Sequence, residues 1–429
     1  MFGFANFLLL ALFAAAVFDL IFALARGGGL RGALHGLWNT PHLLFGQQLA
    51  EWRLQLGRIL FAAGLAAYEI SVVFCNSMAR QNWAWVQGVM SPVLEWLAFL
   101  CFGAKILFGT RYTWRELLAG GALYFIARWV YFNSQNIWWI GIVVAVLAAK
   151  DVPLRRPLQV YFASGCAAMA VVLALHFAGI VVPDLTSERM GALRGTYGYG
   201  HPNTFGGLVF GLVLAYALLR AQKVRWVDCL LVFAVGVFLL VGPASRSAAL
   251  CTLALAVGLM FCRLRAGHSV PRWWPGTCAG MVGLTAAVSY LLPLLVIKVG
   301  PWNNDIGPAW LAKLDSLLTC RISLTWMAYR LLDVKIAGQV FNWPTVDNSF
   351  AFALFQFGPV VAALLGILFA AALLGHAKQG RRVEVCCLFA MLAYAYMEVQ
   401  PFHLTTNPTA LLLCGAVFAQ TSARWQKIE

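Results

Sequence analysis

The chain has 429 residues, of which 62% are hydrophobic and 11% charged. So little polar surface cannot cover a soluble globule, and the composition reads as a polytopic membrane protein. The net charge of +15 does not mark a nucleic-acid binder, because most Lys and Arg fall in short clusters between apolar runs, the pattern that orients membrane proteins.

The N-terminus, MFGFANFLLLALFAAAVFDLIFALARGGG, lacks the basic start and small-residue cleavage site of a signal peptide, so it is expected to be the first membrane helix. A span needs roughly 20 mostly apolar residues. Such runs are predicted near 4–25, 59–78, 89–109, 116–133, 137–149, 158–180, 203–220, 226–243, 247–262, 275–297, 350–375, 383–398 and 409–421. The expected fold is therefore all-α, a single transmembrane domain over 1–429 with about 12–13 helices. The stretch 27–58 reads as an interfacial amphipathic or re-entrant segment. The 11 cysteines show no CxxC or Cys/His spacing, and all but Cys320 fall in or beside predicted spans. They read as small buried hydrophobes with no disulfide or zinc framework, and no cofactor or metal is expected.

Basic clusters set the orientation. Arg111 with Arg115, Lys150 with Arg155 and Arg156, Lys223 with Arg225, Arg263 with Arg265 and Arg272, Lys378 with Arg381 and Arg382, and Arg424 with Lys427 share one side, which the positive-inside rule assigns to the cytoplasm. The opposite side then holds 181–202, the turn from Pro243 to Ser247, a large loop at 299–349, and 399–408. These outward loops carry Arg189, Arg194, Arg246, Lys313, Arg321, Arg330 and Lys335, with Arg128 near the outer end of a span. Cations on the disfavoured side point to an anionic ligand, and arginine's planar fork suits phosphate. The plainer reading pairs some of them with Asp184, Asp305 or Asp315.

Four outward stretches carry the chemistry. Arg194 to Gly207, RGTYGYGHPNTFGG, packs five glycines and two tyrosines ahead of an apolar run. Pro202 suits a first helical turn, so the stretch reads as a tight turn delivering His201 and Asn203 to a helix mouth that favours anions. Ser245-Arg246-Ser247 opens another apolar run, where the arginine points at an outer cavity or snorkels to the interface. In 314–332, LDSLLTCRISLTWMAYRLL, apolar residues recur at helical spacing, so a helix is expected over the outer face, with Arg321 and Trp326 available and Arg330 facing elsewhere. In 343–360, Asp347 and Asn348 precede a span, where they act as an N-cap pair or supply a general base. Glu398, His403 and Asn407 form a polar strip at the outer ends of the last helices.

Together these elements resemble the O-antigen polymerase and ligase superfamily, and most closely the Wzy-type polysaccharide polymerases of bacterial capsule and exopolysaccharide synthesis. The resemblance rests on Arg194 with GYGHPNTFG, Ser245-Arg246-Ser247, Leu318–Arg321 followed by Trp326, and Asp347-Asn348 with FAFALFQFG. It covers roughly residues 150–410. It implies a GT-C-type, metal-independent, inverting glycosyltransferase in the bacterial inner membrane with its site on the outer face. Donor and acceptor would be undecaprenyl-diphosphate-linked oligosaccharides. Membrane lipids, and a chain-length regulator and flippase of the same pathway, would be partners; nucleic acid would not. By the same resemblance Arg246 and Arg321 hold the diphosphate, while Asp347 or His201 is the base. Arg194, Tyr199, Asn203, Asn348, Arg128 and Trp326 would line the substrate. Asp347 stands where ligases have histidine, which favours a polymerase over a ligase. A flippase of the same lipid is disfavoured because the spans are nearly free of charge and the charges within them, Glu69, Glu95, Lys105 and Arg128 among them, lie scattered.

Overall fold

A computed structural model describes residues 2–25, 29–181, 187–189, 192–296 and 307–418. Asp184, Asp305, Trp302, Arg424 and Lys427 therefore lie outside the described residues.

The described chain is almost wholly helical. The first half holds α1 (Phe2–Ala25), α2 (Gly29–Asn39), α3 (Ala50–Cys75), α4 (Ala79–Asn82), α5 (Ser91–Phe108), α6 (Trp114–Ser134), α7 (Ile137–Ala148) and α8 (Arg155–Phe177). The second half holds α9 (Pro202–Leu219), α10 (Trp226–Val241), α11 (Arg246–Leu264), α12 (Trp274–Leu291), α13 (Ala309–Leu317), α14 (Arg321–Leu331), α15 (Ser349–Phe352), α16 (Pro359–Lys378), α17 (Arg382–Met397) and α18 (Cys414–Val417). Two short antiparallel ribbons are the only sheets among the described residues: β1 (His42–Leu43) with β2 (Arg111–Tyr112), and β3 (Ser187–Arg189) with β4 (Ala192–Arg194).

Among the described residues, eight helices are long and apolar enough to cross a membrane, which makes this a multi-pass membrane protein. The expectation of about 12–13 spans exceeds these eight, and several of the remaining runs are short. The helix at 137–149 has 12 residues, about 18 Å at 1.5 Å per residue, well short of a ~30 Å hydrocarbon core. The run at 409–421 becomes a 3₁₀ segment, Pro408–Leu413, with the short α18 behind it. The run at 350–375 is broken: α15 passes into a π-helical turn, Ala353–Phe357, and stops at Gly358, whose φ of 87° only glycine adopts cheaply. A Cβ there would also lie 2.1 Å from the Ile336 carbonyl oxygen. Within 27–58 the described residues form α2, the short β1 and the first turns of α3.

The helix expected over 314–332 is likewise two helices. Thr319 and Cys320 both take left-handed backbone conformations, and Asp315 caps the second helix by accepting from the N–H groups of Ile322 and Ser323 at 2.8 and 3.1 Å. In the bundle, α11 packs on α9, α10 and α17. The starts of α9 and α11 and the end of α17 thereby come together at one end.

Candidate functional site

The site grows from the start of α9. Pro202 is its first residue, and His201 precedes it as N-cap, Nδ1 accepting from the Asn203 N–H at 3.1 Å, as the Pro and the preceding polar residue imply. Asn203 links three segments. Its Oδ1 accepts from Arg194 Nη2 at 2.9 Å and from Ser245 Oγ at 3.5 Å, while its Nδ2 donates to Glu398 Oε1 at 3.1 Å. Arg194 Nη2 also donates to the Ala244 carbonyl at 3.0 Å, closing the β4 ribbon onto the turn before α11. Gly206 permits that closeness, since a Cβ there would lie 2.2 Å from Ser245 Oγ.

Glu398 is the centre of the arrangement. It stands one residue beyond α17, and Oε1 also accepts from Ser247 Oγ at 2.9 Å and from Arg321 Nη2 at 2.6 Å. Arg321 is fully engaged: it donates further to the Met397 and Leu318 carbonyls and to Ser247 Oγ. Arg321 is 8% exposed and Glu398 5%. Burial, reinforced by the Asp347 charge, raises the Glu398 carboxyl to about 7 against the opposing pull of Arg321. The Glu398 carbonyl accepts from Ser349 Oγ at 2.5 Å, so the same residue also anchors α15.

Asp347 and Asn348 separate. Asn348 is the N-cap: its Oδ1 accepts from the N–H groups of Phe350 and Ala351 at 2.9 and 3.1 Å, and its Nδ2 donates to Ser289 Oγ at 3.1 Å. Asp347 is half-buried and has no hydrogen bond or ion pair among the described residues. Its charge nevertheless raises the pKa of both Glu398 and His201, which places the carboxylate within electrostatic reach of both. The His201 imidazole is held below its ordinary pKa by burial and by Arg194, against Asp347. Arg246 opens α11 between Ser245 and Ser247, exposed and without an ion-pair partner among the described residues.

Three substrate residues expected from the sequence lie differently. Tyr199 is wholly buried, its ring 5.7 Å from that of Phe205 and its backbone bridged to Ser77, so it supports the turn from beneath and does not line the open site. Arg128 donates through Nε and Nη2 to Asn6 Oδ1 at 2.8 and 2.5 Å and lies over the Phe132 ring. It ties α6 to α1 and shares no partner with the Glu398 network. Trp326 packs with Leu311 and Ile322, and the Arg330 guanidinium sits 5.7 Å from its ring, one helical turn on. Of the polar strip, Asn407 caps the Pro408 segment, and the His403 ring lies tilted against Trp138, centroids 3.9 Å apart, burial pushing its imidazole down to about 4. Trp310 and Trp343 are exposed.

The structure therefore gathers Arg194, His201, Asn203, Arg246, Arg321, Asp347 and Asn348 at one end and leaves Tyr199, Arg128 and Trp326 outside the network. Sequence reading gave Glu398 only a place in a polar strip, and Ser349 none. Their sole signal is polarity beside long apolar runs. Comparison with family models, with curated proteins and with solved structures found no match.

Proposed function

We propose that the protein is a GT-C-type glycosyltransferase of the bacterial inner membrane. It would polymerise undecaprenyl-diphosphate-linked oligosaccharide repeat units on the extracytoplasmic face. The observation that supports this reading is the presence of two uncommitted charges around one buried network: the Asp347 carboxylate within electrostatic reach of His201 and Glu398, and the exposed Arg246 flanked by serines that both touch that network.

The chemistry follows from those two groups. The acceptor hydroxyl gives its proton to Asp347 while its oxygen attacks the anomeric carbon opposite the leaving group. The bond from that carbon to the diphosphate breaks with its electron pair passing to the phosphate oxygen. Charge growing there is met by Arg246 and by the positive end of α11. Arg321, committed to Glu398, Ser247 and two carbonyls, acts as a positioning residue that fixes both serines' surroundings. Asn203 and Arg194 hold the turn carrying His201.

The test is polymer length on reconstitution with lipid-linked repeat units alone. Arg246→Ala is expected to lower chain growth on the order of 10²–10³-fold at unchanged thermal stability. Arg246→Lys is expected to restore little, because a point charge replaces a bidentate fork. Full activity of Arg246→Ala overturns the assignment, and growth only with a separate acceptor would make the enzyme a ligase.

A further inference from the structure

At the other end of α9, α11 and α17 lies a second polar region, about 27 Å away at 1.5 Å per residue over the 18 residues of α9. A cleft of about 1030 Å³ opens there between the α9–α10 turn, the α11–α12 turn and the α16–α17 turn. It leads into a recess of about 210 Å³ that shares Lys223, Arg381 and Glu384 with it. Arg155 from the start of α8 also lines the recess, beside apolar Leu154, Leu158 and Leu412.

The charges there are unequal in their commitments. Arg220 pairs with Asp228 at 3.1 Å, and Arg382 donates to the carbonyls of Arg265, His268 and Ser269. Arg155, Lys223 and Arg381 have no ion-pair partner among the described residues, and Glu384 is the one carboxylate lining the recess. Positive-inside sorting alone accounts for basic residues at this end. It does not account for His376, which lines the recess, is 9% exposed, and keeps a buried Nδ1 without a hydrogen-bond partner among the described residues. A buried polar atom left unpaired is costly unless a ligand or water meets it.

We propose that this recess binds a phosphate-bearing anion, the headgroup of an anionic phospholipid or a free phosphate. Arginine and lysine from α8 and from the two turns converge on the charge, and His376 supplies a further polar contact. A free phosphate would satisfy the same cations, and the titration below separates the two sources. The site is independent of the transferase reading.

Delipidated full-length protein in detergent is titrated with short-chain phosphatidylglycerol, with phosphatidylcholine of equal chain length, and with inorganic phosphate. Saturable binding of phosphatidylglycerol is expected, without comparable binding of phosphatidylcholine. Lys223→Gln with Arg381→Gln is expected to weaken it on the order of tenfold or more. Arg265→Gln with Arg272→Gln, which removes the same charge at the same end outside the recess, is expected to leave it nearly unchanged. Arg155→Gln alone gives a second reading if the first pair folds poorly. Binding of phosphatidylglycerol with no response to phosphate identifies the lipid, and displacement by phosphate identifies the free anion as an equal occupant. Absence of binding by either, or equal weakening in both double variants, overturns the site.

Discussion

Asp347 and Asn348 are neighbours with opposite commitments, and the difference carries the functional reading. Asn348 spends its amide on two backbone N–H groups and Ser289, which leaves the Asp347 carboxylate unclaimed. Glu398 is the reverse case, a carboxylate accepting from three side chains in near-complete burial. Its folded-state pKa of about 7 lies above the ordinary 4.5. Such a group contributes stability that is complete below about pH 4.5 and is lost as pH rises through about 7. Melting temperature of the wild type is therefore expected to fall across that window, and Glu398→Gln is expected to flatten the dependence; identical slopes would contradict the assignment. Arg321→Ala, which leaves Glu398 buried without its cation, is expected to cost about 3–5 kcal/mol in denaturant unfolding. Arg246→Ala, at an exposed position, is expected to leave unfolding unchanged.

The helices hold these residues through their ends. The start of α15 depends on its cap, so Asn348→Ala is expected to destabilise by about 1 kcal/mol while Asn348→Asp, which keeps the acceptor, changes little. Equal losses for both, read from thermal melts, would show that the amide's bond to Ser289 dominates. The starts of α9 and α15 were legible because a proline at the first helical position and an asparagine before an apolar run have local physical causes. The breaks were not. The run after Asn348 is apolar apart from Ser349 and Gln356, and at Gly358, where it is interrupted, the Ile336 carbonyl approaches closely, a contact made across the fold. The left-handed pair Thr319 and Cys320 is invisible in a helical pattern for the same reason, since Asp315 stabilises the second start only after the chain has turned. The expected span count exceeds the eight in part because apolar runs that form helices of 12–16 residues satisfy hydropathy without that length.

Across the whole molecule, the same helices carry two polar ends, one built around Glu398 and one basic. The hub was beyond sequence reading because its bonds to Asn203, Ser247 and Arg321 span separations of 195, 151 and 77 residues. Arg321, which bonds to it, stands out in the sequence as a cation in a loop between apolar runs, while the sequence does not show that Tyr199 and Arg128 lie away from it, because polarity alone does not say which way a side chain faces. Cys320, between α13 and α14 at the Glu398 end, is the exposed cysteine of the eleven. A membrane-impermeant maleimide is expected to label it in intact spheroplasts; labelling only after lysis would invert the orientation. In the proposed reaction Asp347 is the base of the sugar transfer at this end. Polymer formation with Asp347→Asn and His201→Ala, at matched membrane levels, tests it most directly. The account expects loss of about 10²–10⁴-fold for Asp347→Asn and near-normal polymer for His201→Ala. Normal polymer from Asp347→Asn, with or without loss in His201→Ala, would contradict it.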